Sequence, residues 1–180
     1  KCVYKDQEEV VQVVKRAKEE EIAIDVINLD AWQASEDSGA WVWDRKRFPD
    51  PEGMITFLLE NRIHLCLWIY PYIGEESEYF RLAGEKGWLV KDGNGNPLTF
   101  YATAAADRKV GCFDFTNPGF REWYVPRVKE VIGMGIGAVK TDFSEAVPEN
   151  AVYYDGSNGL QGHNKLTYLY AKTIYEAMKE

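Results

Sequence analysis

The sequence has only three cysteines, two histidines and no long apolar run. Cys2, Cys66 and Cys112 are odd in number and far apart, and two of them lie within apolar stretches. This pattern favours reduced thiols that pack as small hydrophobic side chains. His64 and His163 lack the spacing of a zinc site, and no serine has the flanking glycines of a nucleophile elbow. We therefore expect no metal and no cofactor.

Positive charge is also scarce. Lysine and arginine together number 21 against 29 aspartates and glutamates, which gives a net charge of −8. Nucleic-acid binding depends on clustered lysine and arginine, so we expect no nucleic-acid partner. No apolar run is long enough to cross a bilayer, and the N-terminus has no signal-peptide pattern. We expect no membrane partner and a cytoplasmic setting, with secretion through a removed signal as the open alternative.

Apolar and aromatic residues, in contrast, are plentiful. They make up 46% and 14% of the 180 residues, which is enough to bury one sizeable core. We therefore treat residues 1–180 as one folding unit. The chain begins at Lys1 rather than methionine, and Glu180 falls inside a helical pattern that has no stop signal. We expect the chain to be a fragment of a single domain.

Helical and strand patterns alternate along the chain. Helices are predicted over 7–20, from Pro51, around 76–86, after Pro118 and from about His163, and strands over 22–27, 64–69, 111–115 and 136–143. This alternation predicts parallel strands with right-handed crossovers. Periodicity leaves a (β/α)8 barrel and an open doubly wound sheet both open. Residues 75–110, with a helix and a hairpin signal, are interpreted as an insertion.

The size of the pattern limits how much of a barrel is present. We count three or four parallel strands, and a complete eight-stranded barrel needs about 250 residues. If the fold is a barrel, the chain therefore forms about half of it.

Polar residues lie at the ends of the predicted strands, where the sites of α/β proteins form. The first strand carries Asp25 and leads to Asp30, the second carries Trp68, and the third ends with Lys140 and Asp142. Carboxylates stabilise the oxocarbenium-like state of glycoside cleavage, and aromatic rings cover the apolar face of a sugar. The alternative for Asp142 is a carboxylate that caps the following loop. For Asp25 and Lys140 it is a structural ion pair.

The segment Lys140-Thr141-Asp142-Phe143-Ser144-Glu145 resembles the Lys-Thr-Asp-Phe-Gly-Glu nucleophile segment of glycoside hydrolase family 31, particularly its α-xylosidase-like branch. Residues 48–54, 68–74, 114–118 and 154–157 resemble further segments in the order of that family. The resemblance covers most of residues 22–180.

The resemblance implies a partial (β/α)8 TIM barrel, from the early strands through the nucleophile strand. It implies a fragment of a retaining, exo-acting α-glycosidase that removes α-linked xylose or glucose from non-reducing ends of an oligosaccharide or glycoside, without a cofactor. Asp142 corresponds to the catalytic nucleophile. Asp25, Ile27, Trp68 and Lys140 correspond to substrate-binding positions, where Ile27 replaces a bulky aromatic residue.

Besides Ile27, the sequence departs from the family pattern in other segments. No segment within 146–180 matches the family's acid/base aspartate, so we expect little or no turnover from the chain alone. Ser144 stands where the branch has glycine, and residues 102–106 lack an expected tryptophan. The alternative function is a non-catalytic carbohydrate-binding or self-associating half-barrel, which would form a homo-oligomer through its open barrel edges.

Overall fold

Helices and strands alternate along the chain in the computed structural model, which describes residues 2–105 and 107–179. The helices are α1 (Gln7–Glu19), α2 (Pro51–Glu60), α3 (Glu78–Lys86), α4 (Pro118–Ile132) and α5 (Gly159–Lys179), and the strands are β1 (Val26–Leu29), β2 (His64–Ile69), β3 (Tyr72–Gly74), β4 (Val110–Cys112) and β5 (Ala138–Thr141). A short 3-10 helix spans Thr103–Ala105. Lys1, Ala106 and Glu180 lie outside the described residues, including the last alanine of the alanine-rich stretch.

Three of the strands form one parallel sheet in the order β1-β2-β5. Val26 of β1 is aligned with His64 of β2, and Trp68 of β2 is aligned with Lys140 of β5. The order of the strands in the sheet follows their order in the chain, and a helix precedes each strand. A doubly wound sheet reverses its strand order, whereas a barrel does not. The described sheet therefore has the strand order expected for part of a (β/α)8 barrel.

The other two strands, β3 and β4, lie between β2 and α4 in the chain and form a separate two-stranded sheet. Strand β3 pairs with β4 in antiparallel fashion, and Tyr72 is aligned with Cys112. The chain between them contains α3 and a tight turn in which Asp92 N–H donates to the carbonyl of Asn96. We keep the interpretation of residues 75–110 as an insertion, because α4 and β5 resume the helix-strand pattern after it.

Local sequence explains where the helices begin. Asp6 accepts a hydrogen bond from the N–H of Glu9 at the start of α1, and Asn117 accepts from the N–H groups of Gly119 and Phe120 at the start of α4. Proline follows the capping residue in α2 and α4, where its missing N–H costs nothing. Within the described part of the chain, no helix combines the length and the apolar character needed to span a membrane.

Aromatic side chains dominate the core. The largest fully buried ones are Trp32, Tyr72, Tyr124, Tyr170, Phe48, Phe113, Phe115 and Phe120. Their polar atoms find partners inside the protein, as buried phenols and indoles normally do. Trp41 Nε1, for example, donates to Tyr124 Oη at 2.7 Å. This hydrogen bond joins the loop after β1 to α4. It helps to stabilise the framework around the carboxyl ends of the parallel strands.

The position of β1 differs from the strand predicted at 22–27. Helix α1 ends at Glu19, and Glu21 takes a left-handed φ of 56°, so the chain turns before it can join the sheet. Ile22 is 56% exposed, and Asp25 lies exposed in a bend in front of the strand. A prediction from apolar content alone therefore placed this strand too early in the chain.

Three further boundaries differ from the prediction, and the first is that of β4, which ends at Cys112 rather than at residue 115. Strand β5 is shorter than the predicted 136–143, and it is half exposed rather than buried on both faces. It is the last strand of the described sheet, so only β2 pairs with it. Helix α5 begins at Gly159, before the predicted start at about His163. Glycine-rich sequence in the first turn concealed this start, because glycine is a poor helix former.

Candidate active site

A cavity of about 340 Å³ lies at the carboxyl ends of the parallel strands. It is lined by residues of the loop after β1, of β2 and β5, and of the segment before β4: Asp30, Ala31, Ser35, Ser38, Trp68, Tyr70, Ala105, Asp107, Arg108, Lys140, Asp142 and Phe143. This is the edge at which parallel α/β folds place their functional groups. The cavity is large enough for one sugar ring.

Asp142 directly follows β5 and is held on both carboxylate oxygens. Its Oδ2 accepts a hydrogen bond from Trp68 Nε1 at 2.7 Å and lies 3.3 Å from Lys140 Nζ. Its Oδ1 accepts from the Phe143 N–H at 3.1 Å. The backbone N–H of Asp142 donates to the Ile69 carbonyl of β2 at 2.9 Å. These contacts leave about a third of the side chain exposed to the cavity.

The net effect of these neighbours is a pKa of Asp142 below its ordinary value. Partial burial is the largest influence and raises the pKa, because it disfavours the charged form. Hydrogen bonds from Trp68 and from the Phe143 N–H, together with the Lys140 ammonium, lower the pKa and outweigh burial. Asp142 is therefore ionised at neutral pH, as a carboxylate nucleophile must be.

Lys140 connects Asp142 to a second carboxylate. Its Nζ lies 4.0 Å from Asp30 Oδ1, and Asn28 Nδ2 donates to the same oxygen at 2.6 Å. Lys140 and Asp142 are two residues apart on one strand, so their side chains project to the same face. Lys140 Nζ therefore lies within 4.0 Å of two aspartate side chains at the cavity.

Aromatic rings form one wall of the cavity. The ring centroids of Trp68 and Tyr70 are 4.7 Å apart, and Phe143 contacts both edge-on at 6.1 and 6.4 Å. The backbone of Trp68 itself is held in place, because Trp32 Nε1 donates to the Trp68 carbonyl at 2.8 Å. A rigid aromatic wall of this kind suits the apolar face of a sugar ring.

Arg108 also lines the cavity, and three acidic side chains surround it. Its guanidinium forms ion pairs with Glu76, with Asp107 at 3.1 Å and with Glu36 at 3.9 Å. These residues come from three separate segments, so the arginine joins the loop after β1 to the two ends of the 75–110 segment. The hydrogen bond from Arg108 lowers the pKa of Asp107, which therefore stays ionised.

The turn after Asp142 has an uncommon backbone conformation. Phe143 has a φ of 53° and Ser144 a φ of 102°, although neither is glycine. Left-handed residues with a Cβ cost about 1–3 kcal/mol each and persist where the surroundings hold them. Here Tyr72 Oη accepts hydrogen bonds from the Ser144 and Ala146 N–H groups, both at 3.0 Å.

The structure brings together Trp68, Lys140 and Asp142, but not Asp25 or Ile27. Asp25 precedes β1, whereas the cavity lies beyond the other end of that strand, about 16 Å away at 3.3 Å per residue. Ile27 is buried in the core. The prediction for Asp25 failed because β1 begins and ends later than predicted. The carboxylate that follows its carboxyl end is Asp30.

Several residues at the cavity carried no clear signal in the sequence. Ala31 and Arg108 line the cavity, and the Tyr72 hydroxyl accepts a hydrogen bond from the turn that follows Asp142. Asp30 could be found from its position after an apolar run, and the sequence did indicate it as a strand-end carboxylate. Arg108 precedes β4 rather than following the carboxyl end of a strand, and only the antiparallel pairing of β3 with β4 brings it to the cavity.

Comparison with known proteins agrees with this geometry. The family model of the glycosyl hydrolases family 31 TIM-barrel domain matches residues 1–180. The α-xylosidase XylQ of Lactiplantibacillus pentosus is 35% identical over 176 residues, which cover 97% of this chain and 23% of that protein. The α-xylosidase of Emericella nidulans is 32% identical over 163 residues, 89% of this chain and 20% of that protein.

A solved structure has the same fold. The family 31 α-xylosidase from a soil metagenome, complexed with xylose, has a TM-score of 0.81 and 30% identity over 99% of this chain and 27% of that one. The chain thus spans between a fifth and about a quarter of the length of these relatives. It belongs to glycosyl hydrolase family 31, and it forms part of the TIM-barrel domain of that family.

Proposed function

We propose that the protein containing this chain is a retaining α-glycosidase that removes α-linked xylose or glucose from non-reducing ends. The observation that carries this proposal is the ionised carboxylate of Asp142 in a cavity walled by Trp68 and Tyr70. The two α-xylosidase relatives support the reaction class, and the cavity's size supports recognition of a single terminal sugar.

In the proposed reaction, a carboxylate oxygen of Asp142 attacks the anomeric carbon of the bound sugar. The bond between that carbon and the glycosidic oxygen breaks, and an acid outside the described residues protonates the leaving oxygen. Water then hydrolyses the covalent glycosyl-enzyme with the same acid acting as base. Trp68 and Lys140 hold Asp142 and keep it charged, and Asp30 is positioned to accept hydrogen bonds from sugar hydroxyl groups.

We also propose that residues 1–180 alone have little or no turnover. A general acid near neutral pH needs a raised pKa. Of the carboxylates at the cavity, Asp107 and Asp142 have lowered pKa values. Asp30 is the third, and the proposed reaction assigns it to the sugar hydroxyl groups rather than to proton transfer. The second carboxyl group of a retaining pair is therefore expected from another part of the protein.

The proposal is tested by Asp142→Asn in the longest protein that contains this chain. We expect loss of nearly all hydrolysis of an aryl α-xyloside and an aryl α-glucoside, because an amide cannot form the glycosyl ester. Asp155→Asn is the matched control, since Asp155 is also an ionised aspartate but pairs with Lys165 away from the cavity. Retained turnover in Asp142→Asn would contradict the role of Asp142.

The second candidate function is a non-catalytic, self-associating carbohydrate-binding half-barrel. The observation that favours it is the apolar surface of α5, where Leu160, Tyr168 and Tyr175 are each at least 60% exposed. Burial of such a surface is favourable, so it drives association where a partner fits. This candidate predicts sugar binding without hydrolysis, which the Asp142 test distinguishes.

The state of the cysteines supports a cytoplasmic location in the same proposal. Cys2, Cys66 and Cys112 are all free thiols in the structure. Disulfides are the usual outcome for paired cysteines in oxidising compartments.

A further inference from the structure

The left-handed turn after Asp142 controls one of the hydrogen bonds to the carboxylate. The Phe143 N–H donates to Asp142 Oδ1, and the Phe143 ring also lines the cavity. Rotation of the Asp142–Phe143 peptide about ψ of Asp142 would move this N–H away from the carboxylate, and the fixed backbone of residues 143–146 limits that rotation. The contacts that hold the turn are therefore relevant to the reaction as well as to folding.

A buried phenol from outside the parallel sheet holds this turn. Tyr72 stands on β3, is fully buried, and accepts hydrogen bonds from the N–H groups of Ser144 and Ala146. Its ring is fixed by edge-on contacts with Tyr70 at 5.3 Å and Phe100 at 5.5 Å. The acceptor oxygen therefore has a defined position, which the backbone of the turn must follow.

The charge state of Tyr72 suits this task. Burial raises the pKa of its phenol well above the ordinary value, so the hydroxyl remains neutral wherever the protein is folded. A second contact comes from α5, where Thr167 Oγ1 lies 2.7 Å from Ser144 Oγ. This contact acts on the side chain of Ser144, whereas Tyr72 acts on the backbone itself.

On the basis of the function proposed above, we propose that Tyr72 is a positioning residue for the nucleophile. Its phenol oxygen fixes the backbone of residues 143–146, so that the Phe143 N–H stays on Asp142 and the Phe143 ring stays in the cavity wall. Without this acceptor, the N–H groups of the buried Ser144 and the half-buried Ala146 lose their partner. The turn then relaxes, and Asp142 loses a hydrogen bond that keeps it ionised.

The test is Tyr72→Phe in the longest protein that contains this chain, a change that removes the acceptor oxygen and keeps the ring. Tyr124→Phe is the matched control, because Tyr124 is equally buried and its hydroxyl accepts from the Trp41 indole rather than from the turn. We expect Tyr72→Phe to lower kcat/KM about tenfold. We also expect the acidic limb of its pH profile to move to higher pH, whereas Tyr124→Phe leaves that limb in place.

A double variant separates positioning from packing. Glycine adopts the φ of Ser144 without a Cβ penalty, so the turn needs less support when this residue is replaced. We expect Tyr72→Phe/Ser144→Gly to recover part of the lost kcat/KM and to move the acidic limb back toward its wild-type position.

The outcomes distinguish this proposal from the function on which it rests. An unshifted acidic limb in Tyr72→Phe, with normal wild-type turnover, would overturn the positioning role and leave the glycosidase proposal standing. Failure of both Tyr72 variants to fold, while Tyr124→Phe folds, would also overturn it, because Tyr72 would then act in the core alone. Absence of wild-type turnover on both aryl glycosides would overturn both proposals.

Discussion

The charge of Asp142 depends on side chains that act in opposite directions. Burial raises the pKa, whereas Trp68, the Phe143 N–H and Lys140 lower it. In the proposed reaction the ionised form attacks the sugar, so we expect activity to be lost as pH falls through this pKa. Each neighbour that lowers the pKa of Asp142 is therefore expected to extend the pH range of activity to lower pH.

Replacement of Lys140 tests this relationship directly. Lys140→Met keeps the side-chain length and removes the charge 3.3 Å from Asp142 Oδ2. The pKa of Asp142 then rises, and we expect the acidic limb of kcat/KM to move to higher pH. Lys140→Arg retains the charge and should keep the limb near its wild-type position. A limb that is the same in Lys140→Met and wild type would show that the lysine does not act on the nucleophile.

Replacement of Trp68 tests the hydrogen bond to the nucleophile. Trp68→Phe retains an aromatic wall and removes the indole N–H that lies 2.7 Å from Asp142 Oδ2. A hydrogen bond to a charged group contributes about 1.5–3 kcal/mol, which corresponds to about 10–100-fold in kcat/KM. Steady-state kinetics with an aryl α-xyloside measure this loss. Trp123→Phe, in the cluster around Trp88, is the control, and an equal loss in both variants would refute the assignment.

At the scale of the elements, the loop after β1 is fixed by close backbone packing against β3. Gly39 has a φ of 101°, and a Cβ there would lie 2.4 Å from the Tyr72 carbonyl oxygen. The loop and the segment that carries Tyr72 can therefore come together only because residue 39 lacks a side chain.

Gly39→Ala is expected to destabilise the chain by about 3 kcal/mol or more, because it adds a backbone clash to a left-handed conformation. Gly95→Ala is the control, since Gly95 has a φ of 86° with nothing within 4 Å of the added Cβ. It should cost only the conformational strain of about 1–2 kcal/mol. Denaturant unfolding measures both, and similar losses would show that the approach to Tyr72 is not tight.

The same elements show how far the sequence can be interpreted alone. Strand β2 was predicted with its observed bounds, because its apolar residues lie between clear turns. The bounds of β1 were not predicted correctly, because Ile22 is apolar yet exposed. The left-handed turn at Glu21 also has no signature in the sequence. Because of this shift, Asp25 lies in front of β1, and Asp30 is the carboxylate that follows β1 and lines the cavity. Arg108 was missed because only tertiary structure brings it to the cavity.

At the scale of the whole molecule, the described sheet and α5 present surfaces that are rarely left open. Strand β5 pairs only with β2 within the described residues. Tyr168 and Tyr175 are 61% and 60% exposed on α5 and lie along one groove of about 420 Å³. The chain is a fifth to about a quarter of the length of its relatives, so these surfaces are candidates for burial against further protein.

We therefore expect residues 1–180, studied alone, to self-associate, with Tyr168→Glu/Tyr175→Glu weakening the association. Size-exclusion chromatography with light scattering measures the mass of both proteins. Glu122→Gln, a change on a polar part of α4, is the control. A stable wild-type monomer that exposes these two tyrosines would contradict the expectation.

The most direct test of the catalytic assignment is covalent labelling of the longest protein that contains this chain. The reagents are 5-fluoro glycosyl fluorides of xylose and of glucose, and mass spectrometry locates the labelled peptide. An ester on Asp142 is the expected result, since a retaining nucleophile forms a covalent glycosyl-enzyme. The faster reagent would identify the preferred terminal sugar. A folded protein that reacts with neither reagent, or that carries the label on another carboxylate, would contradict the assignment.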